Sequence, residues 1–166
     1  MENLDVIYED NHIVVVVKPQ NIPSQADESG DLDMLSMVKA YVKEKYNKPG
    51  EAYIGLVHRL DRPTGGIMVF ARTSKAANRL SEQIKNGEFV KTYYCVTEGI
   101  PKESEGHLVN YLKKDDNIVK IVPMSETGAK RAETIYKVLE VEKNLALVRV
   151  NILTGRSHQI RVQMAN

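Results

Sequence analysis

Several things are scarce in this chain, and each scarcity closes off a class of protein. Its 166 residues include a single cysteine, Cys95. That excludes an internal disulfide and a zinc site built on several cysteines. No apolar run approaches the ~20 residues that a membrane-crossing helix needs. The opening stretch, MENLDVIYEDN, is acidic and lacks the basic-then-apolar order of a signal peptide. No charge of one sign dominates, since the formal net charge is only +1. A polyanionic partner would therefore have to meet a local patch rather than an overall basic surface. There is no internal repeat, low-complexity tract or long linker. These absences predict a soluble cytoplasmic protein with no membrane association.

What is present suits one domain of ordinary size. The hydrophobic fraction of 42% is enough for a core, and charged residues make up 27%. Val6–Tyr8 and Ile13–Val17 read as strands around a Glu9-Asp10-Asn11 turn. Lys18-Pro19 ends the second strand, because proline removes a ladder donor. A polar loop from Gln20 to Gly30 follows. Asp31 or Asp33 is placed to cap a helix with Leu35, Val38, Tyr41 and Val42 on its apolar face. Asn47-Lys48-Pro49-Gly50 stops it. Thr73 or Ser74 caps a second helix, with Ala77, Leu80 and Ile84 on one face and Asn86-Gly87 at its end.

Beyond that helix the pattern is mostly strand. Tyr93–Thr97, Ile118–Val122, Thr134–Leu139 and Ala146–Ile152 are the segments, the last alternating with Ala146, Val148, Val150 and Ile152 on one face. Ser157 is placed to cap a short final helix with Ile160 and Met164 inward. Many strands with a few helices predict an α+β fold on a mixed, mostly antiparallel central sheet with flanking helices. The helical pattern runs to Asn166 without a stop signal, which predicts a chain truncated at its C-terminus.

Three short constellations carry chemistry. In His58-Arg59-Leu60-Asp61-Arg62-Pro63-Thr64-Gly65-Gly66 an acid sits between two arginines, before a tight turn and the apolar run Ile67–Ala71. Taken alone, Asp61 reads first as a turn former, since Asp, Pro, Thr and Gly all favour turns. The alternative is an ionised, partly buried nucleophile or base held charged by guanidinium. In extended chain, positions i−2 and i+1 do not both point with the acid. One of Arg59 and Arg62 would then be available for phosphate or base contacts. The second constellation is Thr154-Gly155-Arg156-Ser157-His158-Gln159-Ile160-Arg161. It reads as a strand, a turn and a basic helix start, where Arg156, Ser157 and His158 suit a phosphate. His158 alone is more often a structural hydrogen-bonder than a catalyst, and neither motif histidine has metal-site spacing. The third is Lys91-Thr92-Tyr93-Tyr94. Alternation sends one tyrosine to the core and leaves the other for a nucleobase or a proton. Lys113, Lys114, Lys120, Lys130 and Arg131 read as a solvated face that adds nonspecifically to RNA affinity.

HRLDRPTGG, KTYYCV and TGRSHQIR, in this order, resemble the RluA/RluD-type family of RNA pseudouridine synthases. IYEDNHIVVVVKP resembles the family's first motif more weakly, and GAKRAETIYKVLE a linking strand. The resemblance runs from about Leu4 to Asn166. It implies one pseudouridine synthase catalytic domain over 1–166, lacking the usual C-terminal strands and any separate N-terminal RNA-binding domain. Missing strands would leave an exposed edge and a smaller core. It also implies an isomerase that converts uridine in ribosomal or transfer RNA to pseudouridine, with no cofactor and no metal. By the resemblance Asp61 is the catalytic carboxylate. Tyr93 is the active-site tyrosine, stacking near the base or moving a proton, and Arg161 salt-bridges the aspartate. Arg59 contacts RNA and takes part in base displacement, and Ile160 packs on the uracil ring. Such a reaction needs the base out of its stack, and a tyrosine ring and an arginine suit that. Two departures stand out. Gly65 replaces a frequent serine, and Val17-Lys18-Pro19-Gln20-Asn21 replaces Asn-Lys-Pro-x-Gly, where Asn21 tolerates a left-handed turn. Monomer is the expected state. The competing expectation is a noncatalytic RNA-binding module on the same fold. A glycosidase fits less well, since it calls for two cooperating carboxylates and only one acid stands in the motifs.

Overall fold

The computed structural model describes residues 4–116 and 118–166. They form two compact units that meet in sequence at Asn86 and Gly87. The first unit holds β1 (Val6–Glu9), β2 (Ile13–Lys18), α1 (Met34–Lys45), β3 (Gly55–Leu56), β4 (Gly66–Ala71) and α2 (Ser74–Lys85). Its strands make one antiparallel sheet in the order β1-β2-β4-β3. In register, Val14 lies opposite Phe70 and Val16 opposite Met68, and all four are fully buried. The period of two then carries the next inward position to Lys18. That lysine is as buried as the valines before it.

Both helices start where capping chemistry predicts. The Asp33 carboxylate accepts from the Ser36 amide at 3.1 Å, and the Thr73 hydroxyl from the Ala76 amide at 3.1 Å. Met34, Val38 and Val42 are the buried stripe of α1. On α2 the buried residue is Ala76, with Ala77, Leu80 and Ile84 half-buried beside it. A Cβ at Gly55 would lie 3.0 Å from that of Ala77. Glycine there lets strand and helix approach closely.

The second unit holds β5 (Thr92–Glu98), β6 (Glu105–Asp115), β7 (Ile118–Val122), β8 (Lys130–Glu142), β9 (Leu145–Ile152) and α3 (Gln159–Met164). The strands form one antiparallel sheet in the order β5-β9-β8-β6-β7. Its core is Tyr136, Ala146, Val148 and Val150, with Tyr93, Cys95, Leu108, Ile160 and Met164 packed against them. Together the units give an α+β fold with antiparallel pairing in both sheets.

Lys120 lies in β7, which has the expected bounds. The strand β6, which ends over Lys113 and Lys114, was not among the expected strands. Two expectations are corrected here. Lys130 and Arg131 open β8, which is longer than Thr134–Leu139 at both ends. Ser157 does not cap α3. The N-cap position is His158, in the left-handed region at φ 51°, without a side-chain cap bond. The helix entry is fixed instead by Gln159, whose side-chain carbonyl accepts from the Arg156 amide at 3.0 Å.

Candidate active site

Asp61 stands in the loop between β3 and β4, half-exposed. The loop main chain is tied down from beneath. The Lys18 ammonium donates to the carbonyls of Pro19 (2.9 Å), Arg62 (3.0 Å) and Thr64 (2.8 Å). Three donors on a tetrahedral head meet three carbonyl oxygens, so the buried ammonium is fully hydrogen-bonded. The Asn21 amide adds a second bond to the Arg62 carbonyl at 2.8 Å, from the left-handed conformation at φ 66°. The asparagine thus fills the turn position that glycine more often takes. On the other side, the Ser24 hydroxyl donates to the Leu60 carbonyl at 2.7 Å and accepts from the Leu60 amide at 3.1 Å. The Thr64 amide closes the turn on the Asp61 carbonyl at 2.9 Å. His58 Nε2 accepts from the Val69 amide at 3.0 Å, so that nitrogen is unprotonated.

Burial pushes the Lys18 ammonium below the ordinary lysine range, and the Asp61 charge works in the opposite sense. Within this unit a buried lysine therefore shares its field with Asp61. Arg62 turns to other acids. It donates to the Ser29 hydroxyl at 3.1 Å, pairs with Asp31, and lies 3.8 Å from Asp27. Its guanidinium helps hold both carboxyls below the usual range, behind the Ser29 hydrogen bonds at Asp27 and as the leading cause at Asp31. Arg59 is exposed. Of the two flanking arginines, Arg62 braces the 27–31 loop.

In the second unit, Tyr93 is half-buried on β5 against the core cluster, while Tyr94 is 64% exposed on the opposite face. Ile160 packs on the same cluster as Tyr93. Arg161 is exposed on α3, and His158 is half-buried just before it. Arg156 is exposed, with its Nε donating to the Arg131 carbonyl at 2.9 Å. Asp61 and Arg59 thus belong to one unit, and Tyr93, Arg156, His158, Ile160 and Arg161 to the other.

The segment 154–163 is anchored by a polar network that sequence reasoning missed. Gln159 and Gln163 are buried. Gln159 Nε2 donates to the Glu133 carbonyl and to Thr134 Oγ1, both at 2.9 Å. Its Oε1 accepts from Thr154 Oγ1 at 2.7 Å and from the Arg156 amide. Those are the four bonds a glutamine side chain can make. Thr134 Oγ1 donates onward to Gln163 Oε1 at 2.7 Å, and Gln163 Nε2 reaches Asn110 Oδ1 at 2.8 Å. Lys18 and Ser24 were also missed as site supports. The alternation of Val14, Val16 and Lys18 was the available signal for the lysine.

Residues 12–166 match the family model described as RNA pseudouridylate synthase. The chain is 32% identical over 166 residues to "Uncharacterized RNA pseudouridine synthase YhcT" of Bacillus subtilis, covering 98% of this chain and 54% of that protein. It is 33% identical over 159 residues to "Ribosomal large subunit pseudouridine synthase C" of Rickettsia bellii, covering 95% and 51%. Among solved structures, "Human RNA Pseudouridylate Synthase Domain Containing 4" superposes with a TM-score of 0.83 at 27% identity, over 97% of this chain and 63% of that one. The chain spans about half the length of these curated relatives.

Proposed function

The chain belongs to the RNA pseudouridylate synthase family, and from that premise we propose that it isomerises uridine in structured RNA to pseudouridine with Asp61 as the catalytic carboxylate. The N1–C1′ bond breaks, a C5–C1′ bond forms in the same nucleotide, C5 loses its proton and N1 gains one. Reactants and products have the same atoms and oxidation level, so no co-reactant is consumed. Asp61 acts on C1′ or on the uracil ring, or assists a glycal intermediate.

The observation that carries this reading is the mounting of Asp61. A half-exposed acid sits on a loop whose main chain is fixed by Lys18 and Ser24. An acid that must meet one atom of a flipped nucleotide needs such a rigid seat. Tyr93 supplies a ring whose setting is fixed by the core, against which the displaced base stacks. The family resemblance also gives Arg161 a part in the chemistry, and Ile160 packs on the uracil. Arg59 enters the space the base leaves, while Arg156 and His158 contact the backbone. The relative from Rickettsia bellii is named for the large ribosomal subunit, and structured ribosomal RNA is the substrate proposed here, with transfer RNA the alternative.

The test is a position-by-position map of pseudouridine in RNA from cells lacking the gene. The cells are rescued with the wild-type protein or its Asp61→Ala variant. A missing site restored only by the wild type is the expected result. Restoration by the alanine variant overturns the role of Asp61. No change at any site, with RNA binding retained, turns the reading to a noncatalytic RNA-binding module.

A further inference from the structure

Lys91 stands one residue before β5. Its carbonyl accepts from the Ile152 amide at 3.2 Å, so the β5–β9 ladder continues to it. Strand alternation puts Lys91, Tyr93 and Cys95 on one face and Thr92 and Tyr94 on the other. Burial follows that division, with the first three half-buried and the other two exposed. Two strand residues span roughly 7 Å, about the reach from a base to its own phosphate chain.

The Lys91 ammonium lies against the turn that opens the 154–161 segment. A Cβ built on Gly155 would stand 3.8 Å from Nζ. Glycine at that place puts no side chain between the ammonium and the outer side of the turn. Some other lysines have their charge answered by neighbours. Lys18 meets three carbonyls, Lys45 pairs with Glu9, and Lys113 bonds Glu126 at 2.7 Å. Among the described residues Lys91 has no such acceptor, and burial alone pushes its ammonium below the ordinary lysine value. A half-buried cation without a counter-charge costs stability, and an anionic ligand removes that cost when it binds.

Resting on the synthase reading, we propose that Lys91 is a phosphate contact for the RNA, gripping the backbone of the nucleotide whose base stacks on Tyr93. The ammonium donates to a phosphate oxygen beside Gly155. The contact fixes the base against the tyrosine without reading its sequence.

The experiment uses the whole protein and fluorescently labelled poly(U) as the probe, titrated over a range of salt concentrations. Lys91→Met is expected to weaken binding about tenfold and to reduce the slope of log K against log salt by about one. Its melting temperature stays the same or rises, because an unanswered charge has been removed. Lys91→Arg keeps the affinity. A lysine that merely supports the fold would give the reverse, with a lower melting temperature for the methionine variant and affinity following it. Unchanged affinity and salt slope in Lys91→Met overturns the proposal, as does a wild-type protein that does not bind poly(U). Asp61→Ala serves as the separate control. If that variant still forms pseudouridine, the reading of Asp61 fails while the Lys91 binding result stands by itself.

Discussion

The ammonium of Lys18 and the carbonyl of Arg62 meet at 3.0 Å across 44 residues of chain. The contact joins the end of an apolar strand to the residue after the candidate catalytic acid. Lys18→Met fills the same space without donors. It leaves the Pro19 and Thr64 carbonyls without their Lys18 bonds and the Arg62 carbonyl with only the Asn21 amide. Stability is expected to drop by about 1–3 kcal/mol in urea unfolding. Pseudouridine formation should drop by about a hundredfold, because a loosened loop misplaces Asp61. Wild-type turnover in a folded Lys18→Met protein would show that the anchor is irrelevant to the chemistry.

Gln159 uses all four of its hydrogen-bonding positions on the second unit. Gln159→Leu keeps the volume and removes every one of them. The Glu133 carbonyl, the Arg156 amide and two threonine hydroxyls lose a partner together. A loss of about 2–4 kcal/mol is expected. A loss under about 1 kcal/mol would mean that water replaces the side chain without penalty.

Glu9 gathers Tyr41 Oη at 2.9 Å, Tyr46 Oη at 3.1 Å and the Lys45 ammonium. The Lys45 bond foremost holds its carboxyl below the ordinary glutamate value. With the folded value depressed, the unfolded chain binds the extra proton first as pH falls. The stabilisation is therefore present above about pH 4.3 and is lost as pH falls through the lower folded value. Melting temperatures followed from neutral to acid pH should fall more shallowly in Glu9→Gln than in the wild type. Parallel curves would remove Glu9 from the acid response.

Much of this was legible from residues alone, and the exceptions have physical causes. Val14, Val16, Ala146, Val148 and Val150 announce their strands by alternation, and Asp33 and Thr73 announce their helices by capping. The strand β6 escapes because two of its inward positions are not apolar. Gly106 sits where a Cβ would come within 2.8 Å of the Tyr136 ring, and Asn110 faces inward to bond Gln163. Tertiary partners explain both residues, and no period in the sequence can show a partner. The same applies to α3. Its N-terminus is set by a buried glutamine and a left-handed His158 rather than by the serine that a capping rule selects. At the candidate site, the motif named Asp61 but not the lysine beneath it. That lysine comes 43 residues earlier, in a segment that reads as plain strand. Arg62 shows the opposite limit, since its neighbour in sequence is Asp61 while its partners are Asp27 and Asp31.

Several of the bonds that hold the loop around Asp61 grip its backbone. Lys18, Asn21 and Ser24 all grip main-chain atoms of Leu60, Arg62 and Thr64, and none of these bonds touches a loop side chain. Such a seat is indifferent to what it carries. Asp61 carries the proposed chemistry and Arg62 braces the 27–31 loop, but the side chains at 59 and 64 are exchangeable fittings on a fixed bracket. Substrate preference can therefore drift, or be redesigned, by swapping them one at a time without re-solving how the loop is built.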